Sequence, residues 1–327
     1  MNAKRIVAIV IAVIVLFISL AVSAFKLSIK ANEWTSLTSF DSANYGKEEV
    51  IEQGDDFSKI VVIDITGVIQ ADRYQNEIMD SLEKVRNDED VKGVILKIDS
   101  PGGGVYESAQ ISDKIKQIKS EKNIPFYASM GATCASGGYY IAANCDKIYA
   151  SNETLTGSIG VIMSSLNLSG LFEKYGIKED VIKSGTYKDI GSTSRQMTQS
   201  ERQILQQMVD SSYAEFVKVV ADGRKLSQDY VRSIADGRVY DGRQALEKKL
   251  IDKIGYYETT LEDIKKDNKL ENSAVVNYNY RDSFNDLAQL FSGMAQNISK
   301  GSIQKDLESV KDATATPARP MYLYGGK

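Results

Sequence analysis

Four short apolar runs recur along the first half of this chain, and the stretches between them are amphipathic. Ile60-Val61-Val62-Ile63-Asp64-Ile65 opens the series, and Val91 to Ile98, Pro125 to Met130 and Lys147 to Ala150 continue it. β-Branched runs without polar alternation read as strands covered on both faces. Tyr74 to Arg86 fits a helix between the first two. Glu107 to Lys122 fits another, with Ile111, Ile115 and Ile118 on one face. A strand that returns parallel to its predecessor needs such a crossover. The pattern therefore predicts an α/β domain with a largely parallel sheet, and a further helix beginning near Ala135.

The second half reads as more helical. Thr198-Gln199-Ser200-Glu201 has the form of a capping box. It opens a long helix with apolar residues at Ile204, Leu205, Met208, Val209, Tyr213, Phe216, Val217 and Val220. That stripe suits core burial or a subunit interface. Shorter helices are expected over Gln228–Ala235 and Gly242–Ile251, and a short strand over Ala274–Tyr280. After Val310 come two of the four prolines and many small residues, so 311–327 is expected to be a disordered tail.

The N-terminus has its own character. Ile6 to Phe25 carries no charge and is long enough to span a bilayer. Lys4 and Arg5 precede it, and Lys26 and Lys30 follow. Residues 1–25 are expected to be a transmembrane anchor. Ala21-Val22-Ser23-Ala24 keeps a cleaved signal open as an alternative, and a buried core helix is a third. Flanking charge is balanced, but Lys4 and Arg5 at the very start favour a cytoplasmic N-terminus, with the rest outside the cytoplasm. Residues 26–57 read as a linker, 58–260 as the main domain, and 261–310 as an extension with a short strand and helix.

A net charge of −4, with no basic stripe among aromatics, argues against nucleic acid as a partner. Cys134 and Cys145 are the only cysteines. If a helix joins them, its rise puts them roughly 16 Å apart, too far for a disulfide. The chain has no histidine. That removes the usual base for a serine nucleophile and the commonest metal ligand, and no metal or cofactor is expected. A hydrolase built on this sequence needs another base, and lysine is the main candidate because burial lowers its pKa. A lysine near its reference value of about 10.4 is almost wholly protonated at neutral pH, so lysine-based catalysis should gain activity as pH rises.

Ser136 stands at a strand-to-helix turn in Cys134-Ala135-Ser136-Gly137-Gly138. There it meets the positive end of a helix and free backbone N–H groups. This has the logic of a nucleophile elbow; the alternative is a plain N-cap. Ser100-Pro101-Gly102-Gly103-Gly104 ends a strand, where open α/β sheets bind ligands. Its bare N–H groups suit a developing oxyanion. A phosphate site or a plain turn are the other readings, but no Walker-type lysine follows. Lys188, in Ser184-Gly185-Thr186-Tyr187-Lys188-Asp189, follows an apolar Val181-Ile182 that reads as a short strand.

These motifs, taken in order with Leu155-Thr156-Gly157-Ser158-Ile159-Gly160, resemble the short bacterial form of the signal peptide peptidase A family. The match covers roughly residues 58–260. The resemblance implies a Clp-protease and crotonase-like fold of ββα repeats with a C-terminal helical part. It implies Ser136 as nucleophile, Lys188 as general base and Ser158 as the hydroxyl that orients the lysine. The backbone N–H groups of Gly103 and Gly137 would form the oxyanion hole. It further implies membrane attachment, substrates that are signal-peptide remnants or similar apolar peptides, and a homo-oligomeric ring or dome. In the short form, neighbouring subunits can share a site. The tail is a candidate self-substrate or plug. A related membrane peptidase acting on a membrane-organising protein is the nearest alternative, and a crotonase-like acyl-CoA enzyme or a non-catalytic scaffold are more distant ones.

Overall fold

The computed structural model describes residues 48–278 and 319–325. The expected anchor, most of the linker and the span 279–318 lie outside the described residues. Among the described residues no helix is long and apolar enough to cross a membrane.

The apolar runs form the centre of a sheet. Strands β2 (Asp55–Thr66), β3 (Val91–Ser100), β5 (Phe126–Ala135) and β6 (Lys147–Ala150) lie side by side and parallel. Strand β10 (Ser273–Asn277) extends the sheet in parallel beside β2, and β1 (Glu49–Glu52) closes that edge antiparallel. Helices α1 (Arg73–Asn87) and α2 (Val105–Lys122) make the crossovers, close to the bounds expected from periodicity.

Burial explains why these strands lack alternation. Ile60, Val61, Val62 and Ile63 are all fully buried. Val61, Ile63 and Ile65 face the larger core, together with Ile78, Leu82, Ile111 and Ile115 of α1 and α2. Ile60, Val62 and Ile95 face the other way, onto Leu261 and Ile264 of helix α8 (Tyr257–Asn268). With both faces covered, successive positions from Ile60 to Ile63 are all apolar, and polar residues return only where the strand is less buried, as at Asp64.

The long helix α5 (Gln199–Arg224) starts at the expected capping box, with Thr198 and Glu201 bonded reciprocally. Its stripe divides in two. Phe216, Val217 and Val220 are buried in the core, whereas Ile204 and Met208 stay exposed. The helix expected over Gly242–Ile251 ends earlier, at Glu247, because Leu250 and Ile251 turn inward to bury. Val181-Ile182 forms no strand: among the described residues the segment has no sheet partner, and Ile182 is fully exposed.

The C-terminal tail departs most from expectation. Residues 319–325, placed in a disordered segment from composition, are ordered and include strand β11 (Met321–Leu323). It pairs antiparallel with β4 (Gly102–Gly104), the glycine loop at the end of β3. Its order comes from the backbone bonds of both its edges and from burial of the Tyr322 ring, which composition does not encode.

Candidate active site

Ser136 joins the end of β5 to the six-residue helix α3 (Gly137–Ala142). Its torsions, φ 54° and ψ −117°, lie where an L-residue is strained. Such a conformation costs about 1–3 kcal/mol and persists only when neighbours enforce it. Two backbone bonds do so here. The Ser136 N–H donates to Gly157 O at 2.8 Å, and Tyr140 N–H donates to Ser136 O at 2.8 Å. The Ser136 side chain makes no capping bond, so its hydroxyl is not spent on the helix. Cys134, two residues earlier, is no rival nucleophile. It is free and buried, and burial pushes its thiol well above the usual range. Cys145 is also free, its thiol pushed up to about 12 by burial.

The glycine loop faces this elbow. Ser100 pins it: its hydroxyl donates to Gly67 O at 2.6 Å and accepts from Gly102 N–H at 3.0 Å. Gly102 takes φ +98°, which few other residues tolerate. Space is equally tight. A Cβ on Gly102 would lie 2.1 Å from Tyr322 O and 2.6 Å from Gly137 N. One on Gly137 would lie 3.1 Å from both Gly103 N and Tyr322 O. The carbonyl of Tyr322 thus lies beside the backbone nitrogens of Gly103 and Gly137.

The tail lies in this site as an extended peptide bonded along both edges. On one side Val105 N–H donates to Pro320 O and Tyr324 N–H to Pro101 O. Alternation in an antiparallel ladder then makes Gly103 and Tyr322 a hydrogen-bonding pair. On the other side Ile162 and Met321 exchange two bonds, of 3.0 and 2.9 Å. The Tyr322 ring is fully buried against Tyr140, at 4.9 Å between centroids, and Phe216, at 4.6 Å. Its hydroxyl donates to Ser212 O at 2.8 Å. Beyond Tyr322, Leu323 and Gly325 border a cleft of about 500 Å³ formed with Tyr213, Val209 and Gly237.

The other expected residues divide. Ser158 is buried, at φ 49°, directly after the Gly157 that binds Ser136. Lys188 is exposed, on a turn in which its N–H donates to Gly185 O. Among the described residues it makes no hydrogen bond or ion pair with Ser136 or Ser158. Asp189 beside it binds Lys183 and Arg195, and Arg195 also binds Glu201. Tyr140, Phe216, Ile162 and Glu107 also shape the site, without a functional motif of their own in the sequence. Only Phe216 carried a signal, as part of the apolar stripe.

A strained serine between a parallel strand and a helix, facing a glycine loop paired with an extended peptide, is the candidate site of this α/β domain. The profile of the Clp protease family matches residues 46–148, in keeping with the parallel sheet. That of peptidase family S49 matches residues 118–271. A protein of Enterococcus faecium named as a signal peptide peptidase, SppA, is 39% identical over 349 aligned positions that cover 100% of both chains. A protein of Synechocystis sp. named as a protease is 46% identical over 60% of this chain and 70% of its own. The chloroplastic serine protease SPPA of Arabidopsis thaliana is 34% identical over 55% of this chain and 26% of its own. The chain belongs to peptidase family S49 and is a serine protease.

Proposed function

We propose that this protease is a membrane-anchored endopeptidase in which Ser136 is the nucleophile and Lys188 the general base. Neutral Lys188 takes the Ser136 proton as Oγ attacks a peptide carbonyl. The tetrahedral oxyanion is held by the N–H groups of Gly103 and Gly137. The proton passes to the leaving amine, and Lys188 then activates the water that hydrolyses the acyl-enzyme. Ser158 orients the lysine. The observation that carries this reading is the Tyr322 carbonyl, set in an extended peptide paired with Gly103 and close to the Gly137 nitrogen.

The lysine comes from a second copy of the chain. Lys188 is exposed while Ser136 and Ser158 are buried. Val181, Ile182, Ile177 and Tyr187 beside it leave apolar surface uncovered among the described residues. Homo-oligomerisation covers that surface and supplies the base. The clients are signal-peptide remnants and related peptides left after export, a reading supported by the name of the Enterococcus relative. The 1–25 anchor, with its N-terminus in the bacterial cytoplasm, holds the catalytic domain outside at the membrane. The tail is a ligand of its own active site and a self-substrate, with Tyr322–Leu323 as the scissile bond.

A serine-directed fluorophosphonate tests the core of this reading. It should label wild type at Ser136, and neither Ser136→Ala nor Lys188→Ala should label or cleave peptides. Cleavage retained in either variant overturns the assignment.

A further inference from the structure

Glu107 is a buried acid at this site that the catalytic reading does not use. It lies in the first turn of α2, and its side chain is 3% exposed. Its Oε1 accepts from Arg319 Nη1 at 2.7 Å. Its Oε2 is buried with no hydrogen-bond partner among the described residues. Gln75 Nε2 donates to the Glu107 carbonyl at 3.1 Å and holds the turn in place.

Gly104 completes the slot. Its φ of −65° suits any residue, so its conformation does not demand glycine. Its space does. A Cβ there would lie 1.8 Å from Glu107 Oε2 and 3.4 Å from Arg319 Nη2. The missing side chain is the room in which carboxylate and guanidinium meet.

The domain therefore supplies a buried anion, and the bound peptide supplies the cation. Arg319 remains 40% exposed and enters from solvent. Removing one partner of a buried ion pair is costly, because the other is left desolvated and alone. Any peptide that replaces the tail meets the same demand. Arg319 uses one prong of its fork here, Nη1 to Oε1, and Oε2 stays open to a second donor.

We propose that Glu107 is a specificity-determining residue selecting peptides with an arginine three residues before the one whose carbonyl enters the Gly103–Gly137 space. This rests on the peptidase reading above and sharpens its substrate class. The favoured peptide is cationic and then apolar, with an aromatic residue at the reacting carbonyl.

The test uses the full-length chain and two quenched-fluorescence peptides, Ala-Arg-Pro-Met-Tyr-Leu-Tyr and the same sequence with glutamine for arginine. The chain's own tail competes equally with both, so the ratio of their kcat/KM values is unaffected by it. Wild type should prefer the arginine peptide by at least about tenfold. Glu107→Gln should bring the ratio to about one, and Gly104→Ala, which displaces the carboxylate, should lower it. A wild-type ratio near one overturns the proposal, as does an unchanged ratio in a folded Glu107→Gln. The wild-type ratio decides alone if that variant does not fold. The same peptides, displacing a labelled copy from Ser136→Ala, separate the two readings. Preference in binding without cleavage by wild type removes the peptidase reading and keeps this one. Cleavage without preference does the reverse, and failure of both peptides to bind or be cleaved removes both.

Discussion

The N–H of Ser136 donates to the carbonyl of Gly157, the residue before Ser158, at 2.8 Å. One bond thus ties the proposed nucleophile to the turn that carries its proposed lysine-orienting partner. It also helps hold Ser136 in a conformation that glycine adopts at little cost. Ser136→Gly should therefore raise stability by about 1 kcal/mol as the strain is relieved, while abolishing cleavage. Thermal unfolding beside a peptide assay checks both. A destabilised Ser136→Gly chain would mean that the hydroxyl, not the neighbouring backbone, sustains the elbow.

The Tyr322 ring closes the site. Ser136 is 1% exposed with the tail in place. Truncating a buried aromatic to alanine costs about 3–5 kcal/mol where the ring is fully packed. Tyr322→Ala should therefore loosen the tail and speed fluorophosphonate labelling of Ser136 at least tenfold, by about that order of lost burial. Labelling at the wild-type rate would show that the tail does not guard the serine.

If the tail is also a self-substrate, purified wild type should end at Tyr322 and Ser136→Ala at Lys327. Intact mass separates the two forms. The same full-length C-terminus in both chains would exclude cleavage of the Tyr322–Leu323 bond.

The sequence made the sheet legible because its strands are buried on both faces, and a position such as Val62 has no polar option. The Ser136 elbow was legible too, since Gly137 and Gly138 are the residues a close-packed strand-to-helix turn requires. The tail strand was not. It is three residues long, follows Pro320, and pairs with glycines whose missing side chains leave no strand signal. Glu107 was hidden for a different reason. A glutamate in the first turn of a helix is an ordinary choice that favours the helix dipole, and only the contact with Arg319 sets it apart. The region around Lys188 stayed opaque because exposed residues such as Ile182 have no packing partner among the described residues.

The segment bearing Lys188 is pinned by charge, and this gives a pH dependence. Arg195, joined by the Thr198 backbone, holds the Glu201 carboxyl down at about 2. Arg195 and then Lys183 hold Asp189 well below the usual carboxylate range. Both pKa values are lower in the folded chain than in the unfolded one. The stabilisation is therefore fully present above the ordinary carboxylate range of about 4 and is lost as pH falls toward about 2. Residues 183–198 should resist proteolysis at pH 5 and become sensitive in acid below pH 4. Glu201→Gln should make them sensitive already at neutral pH. Equal protection in the variant and wild type would dismiss the cluster as the anchor of this segment.

A shared site makes a demand that a site within one chain does not. Suppose Ser136 of one copy works with Lys188 of another. A Ser136→Ala chain still offers a good lysine, and a Lys188→Ala chain still offers a good serine. Each homogeneous assembly is inactive, yet in a mixed one some serines meet an intact lysine. Random mixing of equal amounts gives each interface about one chance in four of pairing the two intact residues. Co-assembly of the two inactive variants should therefore restore about a quarter of the wild-type rate per chain, with labelling confined to Lys188→Ala chains that retain Ser136. The exposed apolar residues give an independent handle, since Ile182→Asp should separate the copies and abolish activity without unfolding the domain. Mixtures that stay inactive despite demonstrated co-assembly would place both residues of each site in one chain, and the exposed turn at Lys188 would then have to close over its own Ser136.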